Sequence, residues 1–572
     1  MKPLVCGIDL GTTNSVIAYL RDGIPTAIQV EEGAAVLPSV VSFDPETGYR
    51  WVGRQARNRR AAFPRDTVTS IKRLMGKDMS VSAGGRSFSP EQISSYILRH
   101  LVEQASEVLG APIEKAVITV PAYFDDAQRR ATIRAGELAG LEVLRIVNEP
   151  TAAALVYDHI SSSTESPSPY ILVYDLGGGT FDVSILEIKG EIKEVLASTG
   201  DTALGGDDFD ERLKDYLMQE LRHQALKEDL VEETALKVRL LDIAERTKIA
   251  LSDHPFTMIH EVAVAKVGRQ PLSLDLEISR LQFQLLTEDL IQRTMVKVQE
   301  VLEEAHLKAE DIGKLVLVGG ATRMPAVQEA LAELFDQPVG HCVDPDLCVA
   351  LGAAIQGGLI TGDFVGQILL DVTAHSLGTK TLDVVNPKTG EPDYFSTIIR
   401  RNTRIPTCRA EVYRTVSDDQ PGVEVEVFQG ESVSCAENTL VGSFYYPLKP
   451  APAFSPVVVE FAYDRDGLVR VCVDQKGFEN RKEVTLDIRN RKVSDVPVTE
   501  SDTSPVNYIA EKARRFGADK RLEGSLRGKI REMVGDYESA IRSGAEDARV
   551  DELEEQLLEL MEQAEEELES GE

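Results

Sequence analysis

The chain has 572 residues, of which 42% are hydrophobic, and a formal net charge of −32. This length predicts about three or four domains, and no stretch reaches the roughly 18 consecutive apolar residues of a membrane span. The negative charge argues against general nucleic-acid binding, because a phosphate backbone would be repelled. A strand pattern begins within the first few residues and leaves no room for a signal peptide. The six cysteines lack the spacing of a zinc site or a disulfide framework, so we expect a cytoplasmic protein.

One phosphate-binding pattern occurs twice, at Val5–Asn14 and at Leu172–Asp182. Each copy is a short apolar strand, then an aspartate (Asp9 or Asp175), then a Gly/Thr-rich turn. Glycine lets backbone N–H groups approach an anion, and consecutive N–H groups in a turn form an anion-binding nest. An aspartate at the strand end can hold hydrated Mg²⁺. A single copy is typical of an ordinary hairpin turn, but two matched copies predict a clamp around a nucleoside polyphosphate.

Residues 1–362 alternate strand-like and helix-like patterns, which predicts an α/β domain. Strands are predicted at Ala116–Val120, Ile171–Tyr174 and Lys314–Val318. Helices are predicted at Ala127–Gly140 and along the charged stretch Leu213–Leu251.

The pattern changes after residue 362. Residues 363–371 are predicted to link two domains. The short apolar run Ile368–Asp371 within them reads either as an exposed linker or as a buried strand. Residues 372–495 then alternate with a period of two, and the turn Asp464–Gly467 between two such runs predicts a hairpin. We therefore expect a β-sandwich over residues 372–495.

Residues 496–572 are predicted to be helical and acidic, with one apolar stripe. The stripe consists of Val550, Leu553, Leu557, Leu560, Ala564 and Leu568. Such a stripe packs on a neighbouring helix or offers a docking face to a partner, and the sequence leaves both open.

Six motifs stand in the order found in DnaK-type (heat shock protein 70) chaperones, and the chain resembles that family over nearly its whole length. The motifs are Gly7–Ser15, Val120–Phe124, Asn148–Ala154, Asp175–Asp182, Gly205–Asp210 and Gly319–Pro325. The resemblance implies an α/β actin-like ATPase domain of two ribonuclease-H-like lobes, a β-sandwich peptide-binding domain and a short α-helical lid. It implies ATP or ADP with Mg²⁺ as cofactors, and K⁺ as a further candidate ion. The implied partners are client polypeptides, a J-domain cochaperone and a nucleotide-exchange factor. We expect a monomer that binds neither nucleic acid nor a membrane.

The resemblance also assigns a catalytic set. Lys72 would orient the attacking water near the γ-phosphate, and the Thr180 hydroxyl would donate a hydrogen bond to a phosphate oxygen. Asp9 and Asp175 would hold Mg²⁺ through water, and Glu149 would shape that network. Phosphoryl transfer depends on such positioning and charge stabilisation.

The resemblance implies that Glu245, Lys248 and Ser252, which share one helix face, contact the adenosine. Arg323 would stack on the adenine ring, and Asp346 would close the purine side. The ATP-binding set is completed by Gly11, Thr12, Thr13, Asn14, Gly177, Gly178, Gly319 and Gly320.

Further positions match residues that couple the domains in the family. Pro121 and Arg129 would relay the nucleotide state. The implied J-domain and linker positions are Arg145, Asn148, Leu369, Leu370 and Asp371. The alternative for each is structural, namely a strand-ending proline and surface charges in weak pairs.

The implied peptide-binding positions are Thr379, Leu382, Tyr413, Val416, Val423 and Val425. They depart from the commonest family pattern, since Tyr413 replaces Phe, Thr379 replaces Ile, Leu382 replaces Met and Val416 replaces Ala. The β-branched Val416 predicts a narrower arch over a bound peptide. Ordinary sandwich core explains Val423 and Val425 nearly as well.

Other departures concern length. The chain between Lys72 and Pro121 is short for the family, so one lobe of the ATPase domain is trimmed, and Asn386–Asp393 reads as a lengthened loop. The helical end is short for a full lid, which predicts faster peptide exchange. It ends Glu569-Ser570-Gly571-Glu572 rather than in Glu-Glu-Val-Asp, which fits a bacterial member better.

These observations favour an ATP-dependent chaperone that binds exposed apolar segments, with hydrolysis switching peptide affinity from low to high. A branch specialised for iron–sulfur cluster assembly is an alternative, because Phe124-Asp125-Asp126 and Ala203–Asp208 resemble it. A small-molecule kinase shares the doubled turn, but the segment after residue 370 argues against it. A holdase or exchange partner that binds ATP without cycling is a further alternative.

Overall fold

The computed structural model divides into two units, Met1–Ala374 and His375–Glu572. This boundary lies just after the predicted linker at residues 363–371. The residues that the structure describes are 4–31, 33–160, 168–189, 192–225, 234–267, 270–337, 339, 343–362, 368–385, 392–485, 494–495, 513–514, 516–517, 521–522, 524–543, 553, 556–557, 560–561 and 563–564.

The first unit mixes strands and helices. Its strands are β1 (Val5–Leu10), β2 (Asn14–Arg21), β3 (Ile24–Ala27), β4 (Val36–Pro38), β5 (Val41–Phe43), β6 (Arg50–Val52), β7 (Thr67–Val68), β8 (Val81–Ala83), β9 (Arg86–Phe88), β10 (Lys115–Val120), β11 (Glu142–Asn148), β12 (Tyr170–Leu176), β13 (Phe181–Lys189), β14 (Ile192–Asp201), β15 (Phe256–Val267), β16 (Gln270–Ser279), β17 (Ile312–Val318) and β18 (Ile368–Val372). Its helices are α1 (Arg54–Arg59), α2 (Pro90–Leu109), α3 (Asp126–Ala139), α4 (Glu149–Ile160), α5 (Gly206–Gln224), α6 (Thr234–Asp253), α7 (Arg280–Glu304), α8 (Pro325–Phe335) and α9 (Cys348–Thr361), with 3₁₀ turns at Ile71–Leu74, Ala309–Asp311 and Gly320–Arg323.

Two sheets of the first unit repeat one arrangement. The first has the order β11-β10-β1-β2-β3, and the second has the order β17-β12-β13-β14-β18. In each, the first strand of the phosphate pattern pairs in parallel with one neighbour (β10 or β17) and antiparallel with the strand that follows its turn (β2 or β13). The two Gly/Thr-rich turns therefore occupy equivalent positions, at the ends of β1 and β12.

The core of the first unit follows from the apolar runs in these strands. Strands such as β10 and β12 are buried almost throughout, as expected when both faces of a sheet are covered. One buried cluster joins the two sheets through α4 and α9, and it includes Val117, Val147, Ala152, Val173 and Ala353.

Most elements predicted for residues 1–362 are confirmed. The strands predicted from residues 116, 171 and 314 are β10, β12 and β17, and the helix predicted from residue 127 is α3. The long stretch Leu213–Leu251 forms two described helices, α5 and α6, and residues 226–233 lie outside the described residues. The apolar segment before Asp371 contributes strand β18, which pairs with β14, so the strand alternative is the one observed.

The second unit contains two sheets that face each other. Its strands are β19 (Leu377–Val385), β20 (Pro392–Ile399), β21 (Arg404–Ile405), β22 (Thr407–Arg414), β23 (Gly422–Gln429), β24 (Thr439–Pro447), β25 (Pro456–Tyr463), β26 (Val469–Gln475), β27 (Asn480–Thr485) and β28 (Ser494–Asp495), with a 3₁₀ turn at Cys435–Glu437 and helix α10 (Gly524–Ser543). One sheet has the order β20-β19-β23-β24 and the other β22-β25-β26-β27-β28. Side chains from both, among them Val427 and Phe461, form one buried cluster, which confirms a β-sandwich. The predicted hairpin is β25 and β26.

The described C-terminal residues pack on α10. Leu553, Leu557 and Ala564 are buried in one cluster with Ile530 and Val534 of that helix. Packing on a neighbour is thus the observed alternative for these members of the stripe, whereas Val550 and Leu568 lie outside the described residues. Most of the lengthened loop predicted at residues 386–393 also lies outside them. None of the helices that the structure describes is long and apolar enough to cross a membrane.

Candidate functional site

The two Gly/Thr-rich turns line one cleft of about 540 Å³ in the first unit. Its walls are formed by Asp9, Gly11, Thr12, Thr13, Asn14, Lys72, Glu149, Asp175, Gly177, Gly178, Thr180, Val318, Gly319, Gly320, Pro345, Asp346 and Val349. The structure therefore brings together the catalytic set and most of the ATP-binding set predicted from the sequence, although those residues come from distant parts of the chain.

The turns approach each other so closely that only glycine fits at their contact. A Cβ on Gly178 would lie 1.9 Å from Oγ1 of Thr13 in the opposite turn. Gly177 donates its N–H to the carbonyl of Thr180 at 3.1 Å, which closes the second turn on itself. The Gly177 N–H is therefore engaged within the turn.

A buried ion pair stands at the centre of the cleft. Nζ of Lys72 lies 2.5 Å from Oε1 of Glu149, and both side chains are almost inaccessible to solvent. Burial alone would lower the pKa of Lys72, but the carboxylates of Glu149 and Asp9 outweigh it and hold that pKa above its usual value. Lys72 is therefore a fixed cation rather than the solvated surface lysine that is the commoner fate of the residue.

Further carboxylates crowd the same space. Burial, reinforced by the charge of Glu149, raises the pKa of Asp9 to about 7 and that of Asp182 to about 7. Burial and the charge of Glu149 also raise the pKa of Asp175. Lys72 thus lies near four carboxyl groups, of which those of Glu149, Asp175 and Asp182 are buried. A site with this excess of negative charge favours a bound cation, because a cation lowers the cost of ionising the carboxyl groups.

The second turn is braced by residues to which the sequence reading assigned no role. The N-terminus of α5 reaches the turn, since Asp207 N donates to the Gly178 carbonyl at 2.7 Å. The Asp207 carboxylate accepts hydrogen bonds from Thr13 at 3.2 Å and Ser70 at 2.6 Å, so it ties both turns to the segment that carries Lys72. Arg73 donates to the Gly179 carbonyl at 3.1 Å. Asp207 lies inside the motif Gly205–Asp210, so the motif could have indicated that this residue belongs to the site.

The residues predicted to hold adenosine do not line one common cavity. Lys248 and Ser252 line a separate pocket of about 270 Å³ with Phe283 and Met324. Lys248 also donates to Asp210 at 2.8 Å. Of the remaining predicted residues, Asp346 lines the main cleft.

Glu245 and Arg323 line neither cavity and are held in ion pairs. Arg323 lies 2.8 Å from the carboxylates of Asp344 and Asp346. Glu245 lies 2.5 Å from Arg57 of α1. A second ion pair, of 3.1 Å between Arg60 and Asp242, likewise joins the chain at the end of α1 to α6.

Three of the predicted coupling residues, Arg129, Asn148 and Asp371, form one hydrogen-bonded network. Arg129 is buried and donates to Oδ1 of Asn148 at 2.7 Å, and Nδ2 of Asn148 donates to Oδ2 of Asp371 at 2.8 Å. Thr151, which sequence reasoning did not single out, donates to the same Asp371 oxygen at 3.2 Å. Burial raises the pKa of Asp371 although these donors oppose it.

The other coupling candidates lie around this network. Pro121 directly follows β10, and its carbonyl accepts a hydrogen bond from Phe124 N at 3.2 Å. Leu369 and Leu370 pair in register with Lys193 and Glu194 of β14. Nε of Arg145 is buried and has no hydrogen-bond partner within the described residues.

Comparison with known families identifies this arrangement. A family model described as Hsp70 protein matches residues 5–83 and 78–572. The chain belongs to the Hsp70 family. The match spans nearly the whole chain and confirms the resemblance inferred from the six motifs.

In this Hsp70 family member the predicted peptide-binding residues fall into two groups. Val425 is buried in the sandwich core, and Tyr413 and Val423 pack against it, so core packing accounts for these positions. Leu382 and Val416, in contrast, are 63% and 67% exposed.

Thr379 is buried on β19, and its hydroxyl donates to the carbonyl of Glu426 at 2.8 Å. The Tyr413 hydroxyl is 2.9 Å from Oγ of Ser396. The two departures from apolar residues at Thr379 and Tyr413 therefore bring hydroxyl groups that are hydrogen-bonded within the sandwich.

Proposed function

We propose that this protein is an ATP-dependent molecular chaperone, in which ATP hydrolysis in the first unit switches peptide affinity in the second unit from low to high. The observation that carries the proposal is the buried Lys72–Glu149 pair in a cleft lined by both phosphate turns. Glu149 is preceded by Asn148, which contacts Asp371 after the apolar segment. Membership of the Hsp70 family supports the same assignment.

The residues of the cleft suit the positioning that phosphoryl transfer requires. Lys72 would hold the attacking water, because it is a fixed cation that cannot swing into solvent. The hydroxyl groups of Thr12 and Thr180 and the N–H of Gly178 would donate hydrogen bonds to phosphate oxygens. The Thr13 hydroxyl would do so on giving up its bond to Asp207. Asp207 N and Arg73 hold the second turn before the nucleotide arrives, so little reorganisation of its backbone is needed.

The excess of buried carboxyl groups fits a divalent cation. Asp9 and Asp175 would hold Mg²⁺ through water, and Mg²⁺ when bound would neutralise phosphate charge. Burial and the charge of Glu149 raise the pKa of Asp9 to about 7, and a bound cation would lower it again.

The linker segment would carry the nucleotide state to the peptide site. Asp371 is fixed by Asn148 and Thr151, and the strand that contains it pairs with β14 of the nucleotide-binding unit. A change at Glu149 would reach Asn148 directly, because the two residues are adjacent. We propose that peptide binding and hydrolysis influence each other along this path.

Single-turnover ATP hydrolysis tests the proposal, measured with and without an apolar heptapeptide. We expect slow hydrolysis that accelerates with peptide and falls at least about 100-fold in Lys72→Ala, the scale expected when one electrostatic group of a catalytic site is removed. Lys115→Ala is the matched control, because Lys115 forms an ion pair of 2.9 Å with Glu142 outside the cleft.

Two results would contradict the proposal. Tight ATP binding without hydrolysis would indicate a holdase or an exchange partner. Hydrolysis that is indifferent to every peptide would show that the two units are not coupled.

A further inference from the structure

The 3₁₀ turn that carries Lys72 begins after a residue with a strained backbone. Ser70 directly precedes the turn Ile71–Leu74, and its φ of +51° and ψ of +31° lie in the left-handed region. A residue with a Cβ is uncommon there, because the Cβ crowds the following carbonyl. Glycine would adopt the same backbone without that cost, so the backbone alone does not require serine at this position.

The Ser70 side chain makes a contact that glycine could not make. Its hydroxyl donates to Oδ2 of Asp207 at 2.6 Å, which is the short distance typical of an O–H bond to a carboxylate. Asp207 lies in the first turn of α5, and its backbone N–H donates to the Gly178 carbonyl at 2.7 Å. The Ser70 hydroxyl therefore fixes the start of the Lys72 turn to the helix that braces the second phosphate turn.

Arg73 fixes the same turn at a second point. It donates to both carboxylate oxygens of Asp208, and its Nε donates to the Gly179 carbonyl at 3.1 Å. Residues three apart lie on the same side of a 3₁₀ turn, and accordingly Ser70 and Arg73 contact consecutive residues of α5. Lys72 lies between these two anchored residues, so its backbone is held on both sides.

The position of the Lys72 ammonium group depends on both ends of a long side chain. Glu149 fixes the far end, because its Oε1 lies 2.5 Å from Nζ of Lys72. The near end is the backbone of the 3₁₀ turn, and a lysine stem of four carbons is flexible. A displacement of about 1 Å in a catalytic group can cost roughly 100-fold in rate. The bonds that hold the turn are therefore expected to matter for hydrolysis.

We propose that Ser70 is a positioning residue for ATP hydrolysis, which places Lys72 through the hydrogen bond between the Ser70 hydroxyl and Asp207. The proposal rests on the proposed function, because that function assigns the attacking water to Lys72. Ser70, which the structure describes, is not among the residues that line the cleft. Its loss should therefore change the rate of hydrolysis rather than the affinity for the nucleotide.

The bond is also compatible with a bound nucleotide. Among the described residues, Thr13 and Ser70 donate side-chain hydrogen bonds to the Asp207 carboxylate. Thr13 lines the cleft and would turn to a phosphate oxygen when ATP binds. Ser70 would then continue to hold Asp207, so the anchor of the Lys72 turn persists in the state that hydrolyses ATP.

Single-turnover hydrolysis of ATP by the full chain tests the proposal, with ADP affinity measured separately by calorimetric titration. We expect Ser70→Ala to lower the rate constant roughly tenfold to 100-fold, while the affinity for ADP stays within about twofold of the parent value. The matched control is Ser432→Ala, which removes a serine–carboxylate bond of 2.7 Å to Glu437 in the second unit. This control should hydrolyse ATP at the parent rate.

Two further variants separate the hydroxyl from the backbone. Ser70→Gly should be as slow as Ser70→Ala, although glycine relieves the left-handed φ and should give the higher thermal unfolding midpoint of the two. Ser70→Asn should be faster than either, because asparagine tolerates this conformation and its amide can donate to Asp207.

A double-mutant cycle tests whether Ser70 acts through Asp207. If it does, Ser70→Ala/Asp207→Ala should be no slower than Asp207→Ala alone, because the bond is already absent from the single variant. Rate losses that multiply in the double variant would show that Ser70 acts by another route.

Two other results would overturn the proposal. Parent-like rates in Ser70→Ala and Ser70→Gly would show that the hydroxyl does not position Lys72. A slow Ser70→Ala with a parent-like Ser70→Gly would assign the effect to backbone strain. Either result, obtained with a parent protein that hydrolyses ATP, rejects this inference alone. If the parent protein does not hydrolyse ATP, the proposed function fails and this inference fails with it.

Discussion

Nδ2 of Asn148 donates a hydrogen bond of 2.8 Å to Oδ2 of Asp371, although 222 residues separate the two in the chain. Asn148 directly precedes Glu149, whose Oε1 lies 2.5 Å from Nζ of Lys72. Of these two adjacent residues, Asn148 contacts Asp371 at the end of the apolar segment, and Glu149 contacts Lys72 in the cleft. These contacts connect the proposed catalytic centre with the chain that leads to the second unit.

Removing the Asp371 carboxylate should uncouple peptide binding from hydrolysis. In Asp371→Ala, Asn148 and Thr151 lose a shared acceptor, and a buried donor without a partner costs about 1–3 kcal/mol. We expect the ratio of ATP turnover with peptide to turnover without peptide to fall towards one, with little change in basal turnover. Asp289→Ala is the control, because Asp289 forms an exposed pair with Arg212 and such pairs contribute little. Full peptide stimulation in Asp371→Ala would exclude this path.

The effects of replacing Lys72 and Glu149 on the free energy of unfolding should be strongly non-additive. Breaking a buried pair by removing one partner costs about 3–5 kcal/mol, because the other charge stays buried alone. We therefore expect Lys72→Ala to lower the thermal midpoint of the first unit more than the double variant Lys72→Ala/Glu149→Gln does. Calorimetry of the four proteins in the cycle measures this. Additive effects would mean that the two charges do not stabilise each other.

The stability of the nucleotide-free protein should depend on pH through Asp182. Burial and the charge of Glu149 raise its pKa to about 7, whereas an unfolded aspartate titrates near 3.8. Between these values the folded state binds more protons, so stability falls as the pH rises from about 4 to about 7 and then levels off.

Asp182→Asn should remove that contribution while its side-chain oxygen still accepts the Tyr123 N–H, which is 3.1 Å away in the parent protein. The thermal midpoint of Asp182→Asn should therefore rise relative to the parent protein between pH 5 and pH 8. Parallel pH profiles for the two proteins would contradict the assignment.

The ion pairs between α6 and the chain at α1 should slow nucleotide release. Arg57–Glu245 and Arg60–Asp242 are partly exposed, and pairs of this kind contribute about 1 kcal/mol or less each. We expect Arg57→Ala/Arg60→Ala to release ADP roughly threefold to tenfold faster in stopped-flow fluorescence. Added salt should accelerate release from the parent protein more than from the variant, because salt screens exposed charges. Equal rates of ADP release from the parent protein and the variant at low salt would show that the two ion pairs do not slow nucleotide release.

Local patterns in the sequence predicted much of this architecture. The paired turns, strands β10, β12 and β17, and the β25–β26 hairpin follow from apolar periodicity and turn residues, which act between near neighbours. The duplication of the Asp-Gly/Thr pattern predicted two matched turns that face each other, and both turns line one cleft. The role of Lys72, in contrast, came from resemblance alone, because one lysine among 62 basic residues carries no local signal.

By itself, the sequence determined several of the strands and helices, the positions of the two Gly/Thr-rich turns, and the family to which the chain belongs. The tertiary structure alone decided that Asp207 ties Thr13 to Ser70, that Gly177 is engaged within its own turn, and that Asn148 meets Asp371. It also decided which apolar residues stay exposed, such as Val416 and Phe454. The physical reason is range: periodicity and turn propensity are set by residues a few positions apart, whereas burial, pKa shifts and ion pairing depend on groups that only folding brings together.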